Sequence, residues 1–190
     1  KQGQEIAVVV SARDKATDQL ESMLERAAKG EDISADFQAF KQYQIAGEEI
    51  DFSAEFSILQ RIFDGVSLLG DYNDKIKDHT LAQGEVLSAK FISYLLRKRG
   101  VKATFADSRH FYVTDSHFGN AQLVEDSSAK STIQYFTQIP KDVTPIVTGF
   151  IAANASGETT TLGRNGSNYS ASILASILEA EELQNYTHLD

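Results

Sequence analysis

Cysteine and tryptophan are absent from the 190 residues, and proline occurs only twice. Without cysteine the chain has no disulfides, no thiolate metal ligands and no thiol nucleophile, so its stability must come from packing. This composition suits a reducing cytoplasm, which is the location we expect. The histidines are scattered without ligand spacing, so we predict no zinc site; they are His79, His110, His117 and His188.

Positive charge is also scarce, with 18 Lys and Arg against 27 Asp and Glu and a formal net charge of -9. Such a chain repels a phosphate backbone and has no compensating basic run, so we expect no nucleic-acid partner. No apolar run reaches the ~18 residues of a membrane span, and the N-terminus lacks the pattern of a secretion signal. With 42% apolar residues, the chain is long enough to bury one sizeable core, which predicts a soluble domain without a membrane partner.

Short β-branched runs alternate with amphipathic segments along the chain. Strands are predicted at 6–10, 101–105, 111–113, 145–151, 159–162 and 183–189. Helices are predicted at about 20–28, 34–63, 73–83, 84–99, 127–138 and 170–179. The glycines of segment 65–70 predict a break after the second of these helices. This alternation favours a three-layer α/β sandwich around a mainly parallel sheet.

The most informative segment is 163–170, where two glycines, an arginine and a hydroxyl residue immediately precede a predicted helix. A helix N-terminus concentrates free backbone N–H groups and positive dipole, so such a turn favours an anion. Arg164 adds a fork suited to a carboxylate. The alternative is a tight connection in which Ser167 only caps the helix.

The same segment carries a resemblance to a known family. The residues that carry it are Gly149-Phe150-Ile151, Asn154, Gly157-Glu158 and Thr159 to Asn168. They closely resemble the aspartate kinase segment GF-GAN-GE-TTLGRGGSDYSA. Because the match is long and specific, it favours that family over a chance similarity.

Other segments match the same family in the right order. Val8 to Ala12, followed by Thr17 and Leu20, resembles its VSA-x-T-x-L turn. Segments 65–70 and 83–88 resemble its GI-LLG and RGE-MS motifs, and segment 187–190 resembles the start of TDVDG. The GI-LLG segment together with Asn165 is most similar to the bifunctional aspartokinase/homoserine dehydrogenases.

The resemblance implies the amino-acid kinase fold and a specific reaction. The implied activity is ATP-dependent phosphorylation of the side-chain carboxylate of L-aspartate, with Mg²⁺ accompanying the nucleotide. Its product, aspartyl phosphate, leads to threonine, methionine and lysine. The sequence has no G-x-x-x-x-G-K-[ST] loop, which agrees with this fold. The full-length protein is expected to be a homo-oligomer.

The resemblance also assigns site residues. It implies that Arg164 holds a substrate carboxylate, that Glu85 receives the ammonium, and that Ser11 lies where substrate and γ-phosphate meet. The implied substrate-binding residues are Ser11, Thr17, Glu85, Arg164, Ser167 and Asn168. The implied nucleotide-binding residues are Gly163, Gly166, Thr187 and His188. Read without the family, Glu85 is equally an acidic first-turn residue of a helix, Thr17 an N-cap and Ser11 an ordinary strand-end hydroxyl.

Three departures from the family pattern matter. The opening K-F-G-G-T-S strand, with its catalytic lysine, is missing, so residues 1–190 are expected to form a partial amino-acid kinase domain, truncated at both ends and weak or inactive alone. Asn168 replaces the aspartate of GSDYS, and His188 replaces the first aspartate of TDVD. Asn168 keeps hydrogen-bonding capacity, so we expect altered affinity.

Two alternatives remain open from the sequence. A sister amino-acid kinase would share the fold and glycine turns and would act on glutamate, carbamate or a nucleotide. A non-catalytic regulatory module would bind aspartate or nucleotide without turnover, as the replacements at Asn168 and His188 suggest. Turnover of glutamate would favour the first, and binding without phosphoryl transfer would favour the second.

Overall fold

The structure is a computed structural model that describes residues 5–186. The described strands are β1 (Val8–Val10), β2 (Ala103–Ala106), β3 (Val113–Thr114), β4 (Thr144–Thr148), β5 (Ile151–Asn154) and β6 (Thr159–Thr161). The described α-helices are α1 (Ala16–Ala28), α2 (Ser34–Ile45), α3 (Ser53–Leu69), α4 (Asp74–Lys98), α5 (Glu125–Phe136) and α6 (Gly166–Ile177). Along the chain, β1 is followed by the four helices α1–α4, and the other strands are interspersed with α5 and α6. The mixture of strands and helices agrees with the hydrophobic pattern, although they do not alternate one by one.

The strands form two three-stranded sheets. In the first, β4 lies between β1 and β2 and pairs in parallel with both. In the second, β5 pairs in parallel with β3 and antiparallel with β6. The mainly parallel architecture is confirmed, but the predicted strand 145–151 is divided. Phe150 has a left-handed φ of 64°, so the chain turns there and passes from the first sheet to the second.

Adjacent residues of β4 show the three layers, because successive side chains of a strand point to opposite faces. Ile146 packs with Ala89 of α4, whereas Val147 packs with Ile173 and Leu174 of α6. Helices α1, α2 and α3 add to the α4 side, and α5 adds to the α6 side. The predicted sandwich is therefore confirmed, with buried apolar residues on both faces of the strands.

Two predicted helix boundaries differ from the structure: one predicted helix is divided in two, and its second part extends past the predicted end. The predicted helix 34–63 is two helices, since Ala46 ends α2 with a φ of 50° and Gly47 follows with a φ of 72°. The predicted break at 65–70 is only partly correct, because α3 continues through Gly65 to Leu69 and ends at Gly70, its left-handed C-cap. A single glycine inside a helix costs only about 1 kcal/mol, which packing readily outweighs.

The predicted division at Gly84 is also wrong, because α4 is one helix of 25 residues. A Cβ built on Gly84 would lie 3.1 Å from the Cβ of Ala12. The glycine therefore allows close packing against the segment after β1. Residues 80–89 of α4 are all buried, so this helix passes through the core. The predicted strand 183–189 has no regular structure over 183–186, and 187–189 lie outside the described residues.

Candidate functional site

A cleft of about 410 Å³ opens where β1 and β4 end and where α1 and α6 begin. Because β1 and β4 are parallel, their carboxyl ends meet at one edge of the sheet, the usual location of ligand sites in such folds. The residues lining the cleft are Ser11, Ala12, Asp14, Lys15, Thr17, Asp18, Glu85, Phe150, Gly163, Asn165, Gly166, Ser167 and Asn168. Seven of the predicted site residues are in this list, so the structure brings together predicted groups from three distant segments.

Glu85 contributes a buried carboxylate to this cleft. The side chain is 3% exposed, and its Oε2 atom has no hydrogen-bond partner among the described residues. Burial raises the pKa of Glu85 to about 8, while a backbone hydrogen bond from Ala12 opposes that rise. Glu85 lies in the middle of α4, so its interpretation as a first-turn helix residue is wrong. A buried carboxylate with one oxygen left unpartnered needs a cation or a proton.

The N-terminus of α6 provides backbone donors on the opposite wall. Asn165 occupies the N-cap with a left-handed φ of 58° and makes no side-chain capping bond. The Gly166 N–H donates to the Gly163 carbonyl at 3.1 Å. The N–H groups of Ser167 and Asn168 have no acceptor within the part of the chain that the structure describes. Ser167 is inside the helix, so the capping interpretation is wrong and these donors face the cleft.

Close packing fixes this turn against the end of β4. A Cβ on Gly149 would lie 2.7 Å from the Cβ of Ser167, and one on Gly166 would lie 2.5 Å from the ring of Phe150. The Ser170 hydroxyl accepts from the Phe150 N–H at 2.9 Å and donates to the Gly166 carbonyl at 2.9 Å. The two glycines therefore permit an approach that no other residue would.

The N-terminus of α1 forms the third wall. Lys15 is its N-cap and makes no side-chain capping bond, while Thr17 lies inside the first turn, so the N-cap interpretation of Thr17 is wrong. The Thr17 and Asp18 N–H groups donate to no protein acceptor within residues 5–186. Ser11 is exposed in the cleft directly after β1. This wall thus offers free donors and the Lys15 cation.

Arg13 holds the loop before α1 in place. Its guanidinium lies 3.9 Å from the centroid of the Phe91 ring of α4 and 5.2 Å from that of Tyr43. Nη1 donates to the Gln44 carbonyl near the end of α2 at 2.9 Å. The loop is therefore anchored to two helices.

Three predicted site residues are not among the described residues that line the cleft: Arg164, Thr187 and His188. Arg164 is exposed beside the cleft and has no carboxylate partner among residues 5–186. It flanks the lining residues Gly163 and Asn165 without lining the cleft itself. Thr187 and His188 lie outside the described residues. Their proposed contacts with nucleotide therefore stay predictions.

Sequence reasoning missed Lys15, which lines the cleft between Asp14 and Thr17. The available signal was its place in the turn between a predicted strand and a predicted helix, where a cation adds to the helix dipole in attracting an anion. Phe150 and Asp18 were also missed, and neither had a residue pattern that would have indicated the cleft.

The site is electrostatically bipolar. Two uncapped helix N-termini, Lys15 and the nearby Arg164 attract anions. The buried carboxylate of Glu85 attracts a cationic group of the ligand. No group of three or more His, Cys, Asp or Glu side chains able to hold a metal ion occurs among residues 5–186. None of the helices in that range is long and apolar enough to cross a membrane. The arrangement suits a small ligand with one ammonium and more than one anionic group.

Comparison with known proteins gives three consistent matches. Residues 1–190 match the family model described as "Amino acid kinase family". A maize bifunctional aspartokinase/homoserine dehydrogenase 1, chloroplastic, is 29% identical over 198 residues, covering 96% of this chain and 21% of that protein. The Escherichia coli bifunctional aspartokinase/homoserine dehydrogenase 2 is 33% identical over 181 residues, covering 90% of this chain and 22% of that protein.

The fold comparison agrees with these matches. A crystal structure of E. coli aspartokinase III in complex with aspartate and ADP has a TM-score of 0.81 and 26% identity. That match covers 92% of this chain and 40% of the neighbour. The chain spans about a fifth of the length of the curated bifunctional relatives named above.

Proposed function

Because the chain belongs to the amino acid kinase family, we propose that its cleft binds L-aspartate as the phosphoryl acceptor of an aspartate kinase. The family and the fold that the sequence motifs predict are both confirmed. The aspartate and ADP held by E. coli aspartokinase III support this choice of ligands. The predicted substrate-binding residues are proposed in the same roles.

The single observation that carries the proposal is the buried carboxylate of Glu85, whose Oε2 atom has no partner, facing two uncapped helix N-termini. Aspartate has one ammonium and two carboxylates, which match one buried anion and two groups of free N–H donors. An ammonium beside Glu85 would satisfy its unpartnered oxygen and lower its pKa. Arg164 would add a bidentate contact to one carboxylate by folding over the ligand.

The reaction proposed for this acceptor is a direct phosphoryl transfer. A side-chain carboxylate oxygen of aspartate attacks the γ-phosphorus of ATP, and the bond to the bridging oxygen of ADP breaks. The products are aspartyl phosphate and ADP. Such a step needs the acceptor held in line and the charge neutralised, and little covalent chemistry from the protein. Lys15 and the free N–H groups of α1 and α6 would supply part of that neutralisation.

The nucleotide is proposed to lie beside the same turn. Gly163 and Gly166 are the proposed nucleotide-binding residues, because both line the cleft beside the free N–H groups at the start of α6, which suit phosphate oxygens. Thr187 and His188 are proposed to continue this surface. Mg²⁺ is proposed to accompany the nucleotide, because phosphate oxygens and water supply most of its ligands in such sites. A catalytic lysine is proposed to come from a segment preceding residue 1.

Three wider predictions remain proposals. Residues 1–190 are proposed to be part of a larger kinase domain, as the fraction of each relative that they span suggests. The full-length protein is proposed to be a homo-oligomer, which sedimentation would test. The cytoplasm is the proposed location, and the chloroplast named for the maize relative is the alternative that cell imaging would distinguish.

The test is ADP formation by the natural full-length polypeptide with Mg-ATP and L-aspartate. Arg164→Ala and Glu85→Gln should each raise the KM for aspartate by about tenfold or more, since each removes a contact with a charged group. Arg61→Ala is the matched control, because Arg61 is an exposed arginine that does not line the cleft. Aspartate binding without ADP formation would favour the non-catalytic module, and preferred turnover of glutamate would favour a sister kinase.

A further inference from the structure

Asp78 is a buried carboxylate that lies outside the cleft. It is 1% exposed, and both oxygens accept hydrogen bonds from segments far away in sequence. Oδ1 accepts from the Thr161 hydroxyl at 2.8 Å. Oδ2 accepts from the Thr161 N–H at 3.0 Å and the Gly119 N–H at 2.8 Å. The carboxylate therefore ties α4 to β6 and to the loop that contains Gly119.

These two tied segments hold the start of the turn that lines the cleft. Thr161 is two residues before Gly163, and its carbonyl accepts from the Ala121 N–H at 2.8 Å. Asn120 packs directly on Gly163, because a Cβ built on that glycine would lie 2.3 Å from the Asn120 Oδ1 atom. Movement of either segment would therefore move Gly163 and the turn that follows it.

Asp78 shares its helix and its helix face with Glu85. Residues seven apart in an α-helix lie on the same side, about 10 Å apart along the axis. Residues 80 to 89 of α4 are all buried. The stretch of helix that joins Asp78 to Glu85 is therefore packed against protein on its sides. One rigid element thus carries the cation-binding group of the cleft and the group that anchors its anion-binding turn.

We propose that Asp78 is a positioning residue that fixes the distance between Glu85 and the 163–168 turn, and thereby selects the length of the amino-acid acceptor. The inference rests on the proposed function, because the acceptor is the ligand whose length is selected. Glutamate has one more methylene than aspartate between its side-chain carboxylate and the α-carbon that bears the ammonium. A turn held at a fixed distance rejects the longer ligand, and a turn free to move accepts it.

The experiment compares Asp78→Asn with wild type in the natural full-length polypeptide. Asparagine keeps the size but removes the charge: its amide oxygen can accept from the two N–H groups and its NH2 can donate to the Thr161 hydroxyl, so three charge-assisted hydrogen bonds become weaker neutral ones. Calorimetric titration with L-aspartate and with L-glutamate should show an aspartate Kd raised about tenfold and a glutamate Kd changed less. Hydrogen exchange should become faster at residue 119 and over 161–167.

Glu55→Gln is the matched control, because Glu55 is also a buried carboxylate, paired with Lys90 of α4 but remote from the turn. It should lower stability and leave the ratio of the aspartate and glutamate Kd values unchanged. Thr161→Val, which removes only one hydrogen bond to Asp78, should shift the ratio in the same direction by less. This second variant decides the question if Asp78→Asn does not fold.

The outcomes separate the inference from the proposed function. An unchanged Kd ratio in a folded Asp78→Asn protein, or equal effects of Asp78→Asn and Glu55→Gln, would overturn the inference. If wild type binds neither amino acid, the proposed function fails, and hydrogen exchange then decides whether Asp78 positions the turn. Unchanged exchange over 161–167 in Asp78→Asn would overturn that role as well.

Discussion

Replacement of Glu85 by glutamine should change how the stability of the empty protein depends on pH. Burial raises the pKa of Glu85 from 4.5 to about 8, so between these values the folded chain holds more protons than the unfolded chain. Stability therefore falls as pH rises through this window. Glutamine does not titrate, so the variant should lack this contribution.

The magnitude follows from the two pKa values. Each pKa unit corresponds to about 1.4 kcal/mol, so a change from 4.5 to about 8 gives an upper limit of roughly 5 kcal/mol. Between pH 5 and pH 8.5 the wild type should lose about 2–4 kcal/mol relative to Glu85→Gln. The difference between the two proteins matters here, because other groups titrate equally in both.

Urea unfolding followed by far-UV circular dichroism at several pH values measures this difference. Glu158→Gln is the control of opposite sign, because the ion pair with Lys75 lowers the pKa of Glu158 and so gives stability that is lost as pH falls. A free-energy difference between wild type and Glu85→Gln that does not vary with pH would refute the account of the buried carboxylate.

Three further predictions concern the same cleft. As pH rises from roughly 6 to 8, the aspartate Kd of the wild type should fall by up to about tenfold per pH unit, because Glu85 must lose its proton to accept the ammonium. Calorimetry should find no such dependence of Kd on pH in Glu85→Gln. Gly149→Ala should lower the unfolding free energy by about 1–3 kcal/mol, since its Cβ would lie 2.7 Å from that of Ser167. Gly65→Ala should instead stabilise α3 by about 0.5–1 kcal/mol, because a Cβ there meets nothing within 4 Å. Denaturant midpoints that move in the same direction for both variants would contradict this. Arg13→Ala should lower the unfolding free energy by about 1–3 kcal/mol and weaken aspartate binding, because the loop before α1 loses its contacts with α2 and α4. An unchanged thermal unfolding temperature and an unchanged aspartate affinity would contradict this.

Local patterns were sufficient to predict much of the fold. The β-branched run at Val8–Val10 and the apolar spacing of α1 mark a strand and a helix without any knowledge of their partners. The glycines, arginine and hydroxyl residue of segment 163–170 indicated a helix N-terminus suited to an anion, and the structure places uncapped N–H groups there. These features depend on neighbouring residues, which a sequence displays directly.

Features that depend on distant partners could not be predicted. Gly84 suggested a helix break, but a glycine is needed there because Ala12 packs closely against it. Ala12 lies 72 residues earlier in the chain, so the sequence around Gly84 does not show this contact. Phe150 adopts a left-handed φ that phenylalanine rarely adopts, so the division into two sheets had no local signal. Asp78 anchors Thr161 across 83 residues, and nothing near it in sequence indicates that role.

The most direct test of the central claim is to trap the product. Hydroxylamine converts an acyl phosphate into a hydroxamate, so it distinguishes phosphorylation of a carboxylate from simple ATP hydrolysis. The natural full-length polypeptide, supplied with Mg-ATP and hydroxylamine, should form aspartyl hydroxamate from L-aspartate and little hydroxamate from L-glutamate. Formation of ADP without any hydroxamate, or a preference for glutamate, would contradict the assignment of the cleft as the acceptor site of an aspartate kinase.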